Sequence, residues 1–374
     1  MNHPLIRVSY MATATYFGAI LGNAVSLNPF ITLLGYPSFF SKILWNSFYI
    51  LTIYYILMIF SLYYSMNTFK KLYYLLFLAI GWHIHNLFAY ITYSSLNLLI
   101  SLPNFLNLII YLSIGTAIFI QGIYSEQNTT LEYINLICPG LKGTVTFAHL
   151  TDIHLGAIYG REFIQKLVNL ILTIQVDFVC ITGDMIDGNI KMTREMIEPF
   201  QQITCPIYFV SGNHEDYTWR EEAYQIIDTT NIKRMEDSYI NFDNKINIIG
   251  IDYLKNTETI VAKLKYLLSD IRENNNGNNY RPNIFLYHVP IFTAKDLEKY
   301  DIFLFLCGHY HGGHFFPFTL LKYVFKYCKN IVFEGLYNYN NIHYVYCNSG
   351  QGTSGPAVRS FSKSQIGIIK LVGQ

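Results

Sequence analysis

Seven side chains able to hold a cation fall in five short segments. Asp152 and His154 lie in Thr151-Asp152-Ile153-His154, Asp184 in Gly183-Asp184-Met185-Ile186-Asp187, and Asn213 in Gly212-Asn213-His214-Glu215. His288 follows Tyr287, and His309 and His311 share Gly308-His309-Tyr310-His311. Carboxylate, imidazole and amide oxygen suit Zn²⁺, Mn²⁺ or Fe, and the set is large enough for two ions if one carboxylate is shared. Paired metals generate a hydroxide, polarise phosphoryl oxygens and neutralise charge during an in-line displacement. Each residue also has a plain structural use. Asp152 fits a strand-end turn and Asp184 a helix N-cap, and a lone histidine such as His288, His309 or His311 is more often half-buried core. Their joint occurrence favours a site.

The elements that must position these groups are legible as apolar runs. Val145 to Leu150, Phe178 to Thr182, Ile207 to Val210, Ile246 to Ile251, Ile284 to Tyr287, Ile302 to Cys307 and His343 to Cys347 read as strands. Helical stretches are expected at Arg161 to Ile174, Met192 to Gln202, Trp219 to Thr229 and Glu258 to Ile271, with a surface loop at Asn274 to Asn279. The alternation argues an α/β core. All five polar segments follow strands, and ligands of open α/β sheets gather at the carboxyl ends of strands. His149 and His343 lie within strands and take the core reading.

The first third of the chain is written differently. Of 374 residues only 14% are charged, and before Glu126 there is no Asp or Glu, while the basic residues are Arg7, Lys42, Lys70 and Lys71 alone. Four apolar spans are expected near 9–28, 43–64, 72–93 and 104–124, each close to the ~20 residues that cross a bilayer core. The first is expected to be an uncleaved anchor, since no compact apolar core with a clear cleavage site is present. The short-loop basic residues then put the C-terminal domain in the cytoplasm. His83 and His85 point to nearly opposite helix faces and cannot share one metal; both are read as packing groups. The expected division is a transmembrane anchor at 1–125, a linker at 126–142 and a catalytic domain at 143–374. A net charge of +1 excludes an electrostatic nucleic-acid binder. Six scattered cysteines without a C-x-x-C pair argue against a disulfide scaffold or zinc ribbon.

With these motifs in order, the chain resembles the calcineurin-like metallophosphoesterase superfamily, in particular a membrane-anchored bacterial branch. Gly312-Gly313, Phe316-Pro317-Phe318, Gly335-Leu336-Tyr337 and Gly350 to Pro356 with Arg359 extend the likeness. The resemblance implies a four-layer αββα sandwich and two divalent ions, Mn, Zn or Fe. Asp152, His154, Asp184 and His311 would hold one ion, and Asp184, Asn213, His288 and His309 the other, with Asp184 as the bridge and a bridging hydroxide as nucleophile. His214 would be the general acid and Asp187 would orient its imidazole.

Departures and neighbours refine this reading. Protein phosphatases of the superfamily carry Arg where this chain has Gly188, which makes phosphoprotein a poor substrate, and relatives often show Gln where His314 stands. His314 is expected to pack or to support a ligand. Glu215 is undecided, with a supporting role behind the ligands as its one named reading, and Arg359 is expected to grip a phosphate in a fork, with a surface pair as its alternative. Phe315 to Cys328, aromatic and aliphatic with spaced lysines, has the composition of a lipid-dipping element. The expected activity is hydrolysis of a phosphodiester or pyrophosphate bond in a lipid-linked or small-molecule substrate at a bilayer. Soluble nucleotide or cyclic-nucleotide phosphodiesters are the alternative. A sensor or transport bundle with a regulatory phosphoesterase domain is the alternative of another class, but the apolar spans lack the intramembrane charges such bundles use.

Overall fold

The computed structural model of the chain describes residues 67–97, 104–188, 190–217, 219–274, 280–325 and 331–374. The expected spans near 9–28 and 43–64, and nearly all of the Asn274 to Asn279 loop, lie outside these residues. From residue 130 onward two six-stranded sheets face each other. One has the order β1 (Thr130–Cys138), β12 (Gln365–Gly373), β2 (Thr144–Leu150), β3 (Phe178–Thr182), β4 (Ile207–Val210), β5 (Ile232–Arg234). The other runs β10 (Gly335–Tyr339), β11 (His343–Cys347), β9 (Leu304–Cys307), β8 (Asn283–Leu286), β7 (Ile246–Gly250), β6 (Ser238–Phe242).

The central strands β3, β4, β7, β8 and β9 are buried at every position. A strand covered on both faces must be apolar throughout rather than alternating, which explains the unbroken runs Phe-Val-Cys-Ile-Thr and Ile-Tyr-Phe-Val. Between the sheets lie Phe147, Phe178, Val210, Ile248, Leu286, Leu306 and Ile369. Two helical layers cover the outer faces. The helix Arg161–Leu172 buries Ile164, Leu167, Val168 and Ile171 against the first sheet, the spacing of a single helical stripe. The helix Thr257–Asn274 buries Ile260, Leu264, Leu267, Leu268 and Ile271 against the second. The result is a mixed α/β double-sheet sandwich. The strands β2, β3 and β4 are parallel to one another, as are β8, β9 and β11 in the other sheet, so their carboxyl ends collect along common rims.

Two expectations change here. Residues 126–142 were expected as a linker, yet Thr130–Cys138 forms β1, which pairs in parallel with β12 from Thr130↔Gln365 to Cys138↔Gly373. Its inward residues Ile134, Leu136 and Cys138 are buried, and alternate residues are solvent-facing. That alternation marks an edge strand, and two polar residues disguise it in sequence: Asn135 on the solvent side, and Glu132 on the inward side, where it accepts from Tyr346 Oη and Gln365 Nε2.

The second change concerns the apolar region. A helix α1 (Asn67–Asn97) lies beside α2 (Asn104–Gln127), with Trp82 Nε1 donating to Thr116 Oγ1 at 3.0 Å and Tyr93 Oη to Asn107 Oδ1 at 2.7 Å. Among the described residues one helical stretch, Ile109–Gln127, is long and apolar enough to cross a membrane. The four-helix transmembrane bundle is therefore not what the described residues display. Phe77, Gly81, His85 and Phe88 of the third expected span turn towards the sandwich: Phe77 joins its core, Gly81 meets Pro356 and Val358, His85 bonds Ser360, and Phe88 meets Phe316. Hydropathy alone cannot separate an apolar face turned to lipid from one turned to protein.

Candidate metal centre

Each candidate residue sits immediately beyond a strand. Asp152 and His154 follow β2, Asp184 and Asp187 follow β3, Asn213 and His214 follow β4, His288 follows β8, and His309 and His311 follow β9. The chain must reverse sharply at these points. Asp152, His154, Asp184, His309 and His311 all have positive φ, between 50° and 77°. For non-glycine residues that conformation costs about 1–3 kcal/mol each and clusters where a site over-determines the backbone. At Gly212 a side chain is excluded outright, because a Cβ would lie 2.2 Å from Asp184 Oδ1.

The structure brings the predicted residues together. Three groups have one ligand atom from each member within 4.8 Å of the others: Asp152, His154 and His311; His154, Asp184 and His214; and Asp184, His288 and His309. Asp184 and His154 each belong to two groups. The contacts follow suit: His311 Nε2 is 3.1 Å from His154 Nε2 and 3.2 Å from Asp152 Oδ1. His288 Nε2 is 3.1 Å from Asp184 Oδ2 and 3.2 Å from His309 Nδ1.

The far ends of His154, His288 and Asn213 are committed elsewhere, which fixes what they present. His154 Nδ1 donates to the Asp187 carboxylate at 3.0 Å and His288 Nδ1 to the Thr182 carbonyl at 2.8 Å, so their Nε2 atoms face inward. Asn213 Nδ2 donates to Tyr217 Oη at 2.9 Å, while Asn213 Oδ1 is buried with no hydrogen-bond partner. A buried acceptor without a donor, on the segment beyond β4 that also carries His214, is satisfied only by a cation or a donor brought in. The residues present therefore fit divalent metal.

Electrostatics agree. Burial opposes a proton on His288, and the Asp184 carboxylate overrides it and raises the pKa to about 9. The same carboxylate asks for positive charge at the position a cation would occupy. Burial and the neighbouring imidazoles His288 and His154 lower His309 and His311 respectively, keeping both neutral and able to donate lone pairs. For His214 burial alone would favour the neutral form, but Asp184 and Asp187 raise it well above the ordinary histidine value. Its Nδ1 donates to the Asp187 main-chain carbonyl at 2.9 Å, with Asp187 Oδ1 at 3.4 Å, and Nε2 lies 4.0 Å from Asp184 Oδ2. The carboxylate of Asp187 is thus shared, and its shorter contact is to His154 rather than to His214.

Several supporting residues were undecided or unseen in the sequence. Glu215 is fully buried and accepts the main-chain N–H groups of Asp184 at 3.0 Å, Ile186 at 3.0 Å and Gly212 at 2.5 Å. It ties the β3 and β4 loops into one unit, and its only sequence signal is its place directly after Asn213-His214. Thr151 Oγ1 donates to Asp152 Oδ2 at 2.9 Å, and Gln351 Oε1 accepts Thr151 N–H at 3.1 Å. His314 is buried and meets Phe315 edge-on, as a packing residue would.

Arg359 does not grip a phosphate. It is fully buried, and its guanidinium donates to the carbonyls of Ser349 at 2.8 Å, Gly352 at 2.5 Å and Lys363 at 2.9 Å. The fork geometry that suits phosphate equally suits a cluster of carbonyls, and here the loop 349–363 closes around it.

The comparisons agree with the geometry. Residues 145–343 match the calcineurin-like phosphoesterase family, and the chain belongs to it. An uncharacterized metallophosphoesterase of Helicobacter pylori is 29% identical over 281 residues, covering 73% of this chain and 72% of that protein. One of Campylobacter jejuni is 30% identical over 262 residues, 67% of each chain. A zebrafish (Danio rerio) transmembrane protein with a metallophosphoesterase domain is 31% identical over 233 residues, 59% of this chain and 52% of that one. The protein is a metal-dependent phosphoric ester hydrolase, and its Asp and His groups are able to bind the divalent metal that the family uses.

Proposed function

We infer that the chain hydrolyses a phosphodiester or pyrophosphate bond of a lipid-linked substrate with two divalent ions. The observation that carries the two-ion reading is the double membership of Asp184: one carboxylate borders both the Asp152–His154–His311 side and the His288–His309 side. Asp152, His154, Asp184 and His311 would hold one ion, and Asp184, Asn213, His288 and His309 the other. Bound there, divalent ions supply Lewis acidity, lowering the pKa of a water and neutralising charge on the phosphoryl oxygens. His214, held at Nδ1 and raised in pKa by its carboxylate neighbours, turns Nε2 towards the site and donates a proton to the leaving oxygen. Asp187 and Glu215 hold the loops in place.

The lipid part rests on the segment after His314. Phe318, Leu320, Leu321, Tyr323 and Val324 are exposed, Phe318 at 48% and Val324 at 58%, on a short helical stretch beside α1. Exposed aromatic and aliphatic groups with Lys322 among them suit a bilayer interface. The apolar helix α2 and the zebrafish relative named as a transmembrane protein support membrane attachment, with several spans and a cytoplasmic catalytic domain as the proposed arrangement. Metal analysis of the purified protein, then a screen of phosphomonoesters, phosphodiesters and lipid-linked pyrophosphates with and without bilayers, tests the reading. Turnover confined to soluble nucleotides, indifferent to bilayers, overturns the lipid part; fewer than two bound ions overturns the two-ion part.

A further inference from the structure

His85 lies in α1, outside the sandwich and more than two hundred residues before His311 in sequence, yet it is fully buried and both ring nitrogens are engaged. Its Nδ1 is 2.6 Å from the carbonyl of Gly81, which can only accept, so Nδ1 carries the proton. Nε2 must then accept, and it does so from the Ser360 hydroxyl at 2.7 Å. Having spent its hydrogen on His85, Ser360 Oγ accepts the main-chain N–H of Phe316 at 2.6 Å. Every direction in this chain of bonds is therefore determined: Phe316 to Ser360 to His85 to Gly81.

The loop 359–362 is held on both sides. Its main-chain N–H groups at Arg359 and Phe361 donate to α2, to the Gly122 carbonyl at 2.8 Å and to Gln121 Oε1 at 3.3 Å. Its side chains reach the turn as well: Ser360 Oγ joins Phe316 N–H to His85 of α1, and Ser362 Oγ donates to the His311 carbonyl at 3.1 Å. These bonds leave the loop suspended between the helices and the turn that starts at His311 and runs to Phe316. The approach to α2 is close enough to need Gly122, where a Cβ would lie 2.3 Å from Val358.

We propose that His85 is a positioning residue for His311, acting through Ser360 and the 359–362 loop, so that the paired helices are a working part of the metal centre and not a detachable anchor. The proposal rests on the two-ion reading above. Holding a ligand's backbone in place matters because His311 sits at φ 52°, a conformation that relaxes once its supports are gone. Loss of a partner that orients a ligand typically lowers metal affinity 10- to 100-fold.

The test is Mn²⁺ titration by calorimetry of the full-length protein in detergent micelles, with thermal melting alongside. Wild type should bind two equivalents. H85A should weaken one equivalent about tenfold or more and leave the other within threefold of wild type, with the melting temperature held within a few degrees. H85Q, whose amide oxygen can accept from Ser360, should restore most of the affinity. Ser360→Ala should reproduce H85A, and the double variant should be no worse than either alone. Both equivalents binding H85A and Ser360→Ala as in wild type overturns the proposal. So does an equal weakening of both equivalents together with a lower melting temperature, which is the signature of a merely structural role. If wild type itself fails to take up two equivalents, the two-ion reading falls first and the positioning proposal with it.

Discussion

Asp187 Oδ1 accepts the Nδ1–H of His154 at 3.0 Å while standing 3.4 Å from Nδ1 of His214. One acid therefore orients a group at the metal centre and the proposed proton donor at once. Burial would raise its pKa, but the hydrogen bonds from the two imidazoles lower it to about 2. Asp187→Ala should lower Mn²⁺ affinity about 10- to 100-fold and, at saturating Mn²⁺, still leave kcat depressed. Calorimetry followed by kinetics at saturating metal separates the two effects. Full recovery of kcat with added metal would limit Asp187 to His154.

Asp184 belongs to two of the candidate ligand groups and is the proposed bridge between two ions. Asp184→Asn keeps the shape but removes the charge, and both cations should bind far more weakly, with activity lost at ordinary metal concentrations. Because ligands that bind only the folded state stabilise it by mass action, Mn²⁺ should raise the melting temperature of wild type and not of Asp184→Asn, and chelator should reverse the wild-type gain. An unchanged melting temperature of wild type with and without Mn²⁺ would contradict the assignment.

His214→Ala should leave cation binding close to wild type and lower kcat by about 10²- to 10⁴-fold, the scale of one general acid. The loss should shrink for esters with acidic leaving groups such as nitrophenol, which leave without a proton. Equal losses on good and poor leaving groups would point to a binding role.

His149, inside β2, is fully buried with Nε2 on Thr182 Oγ1 at 2.7 Å, and burial lowers its pKa from 6.5 to about 3. Below pH 6.5 the unfolded chain takes up a proton that the folded strand refuses until about pH 3. This contribution to stability is complete above 6.5 and is lost progressively as pH falls towards 3. Melting temperatures of His149→Gln should decline less steeply than wild type between pH 6.5 and 4.5; parallel curves would rule the histidine out as a source of acid sensitivity.

Arg359→Met should leave the carbonyls of Ser349 and Gly352 without their donor, while that of Lys363 keeps the Ser349 hydroxyl. Each buried group left unpaired costs about 1–3 kcal/mol, so the variant should melt well below wild type, while KM of whatever protein folds stays near the wild-type value. A large rise in KM with unchanged melting would return Arg359 to the phosphate.

The sequence by itself determined the chemistry and its scaffold. Unbroken apolar runs mark strands covered on both faces, as at Phe178–Thr182 and Ile207–Val210, whose bounds match the structure residue for residue. Polar residues stranded at the ends of such runs, from Asp152 to His311, point to a site by their joint occurrence, since each alone has a plain structural use. Tertiary structure alone decided three matters. Thr130–Cys138 joined the sheet, because an edge strand shows its pattern only once its partner β12, more than two hundred residues away, is in place. Arg359 turned inward and Glu215 became the clamp on Asp184, because a charged side chain's partner is main chain whose position depends on the whole fold. The helices α1 and α2 met the catalytic loops through His85 and Gly122, because apolarity states that a face will be covered without stating whether lipid or protein covers it.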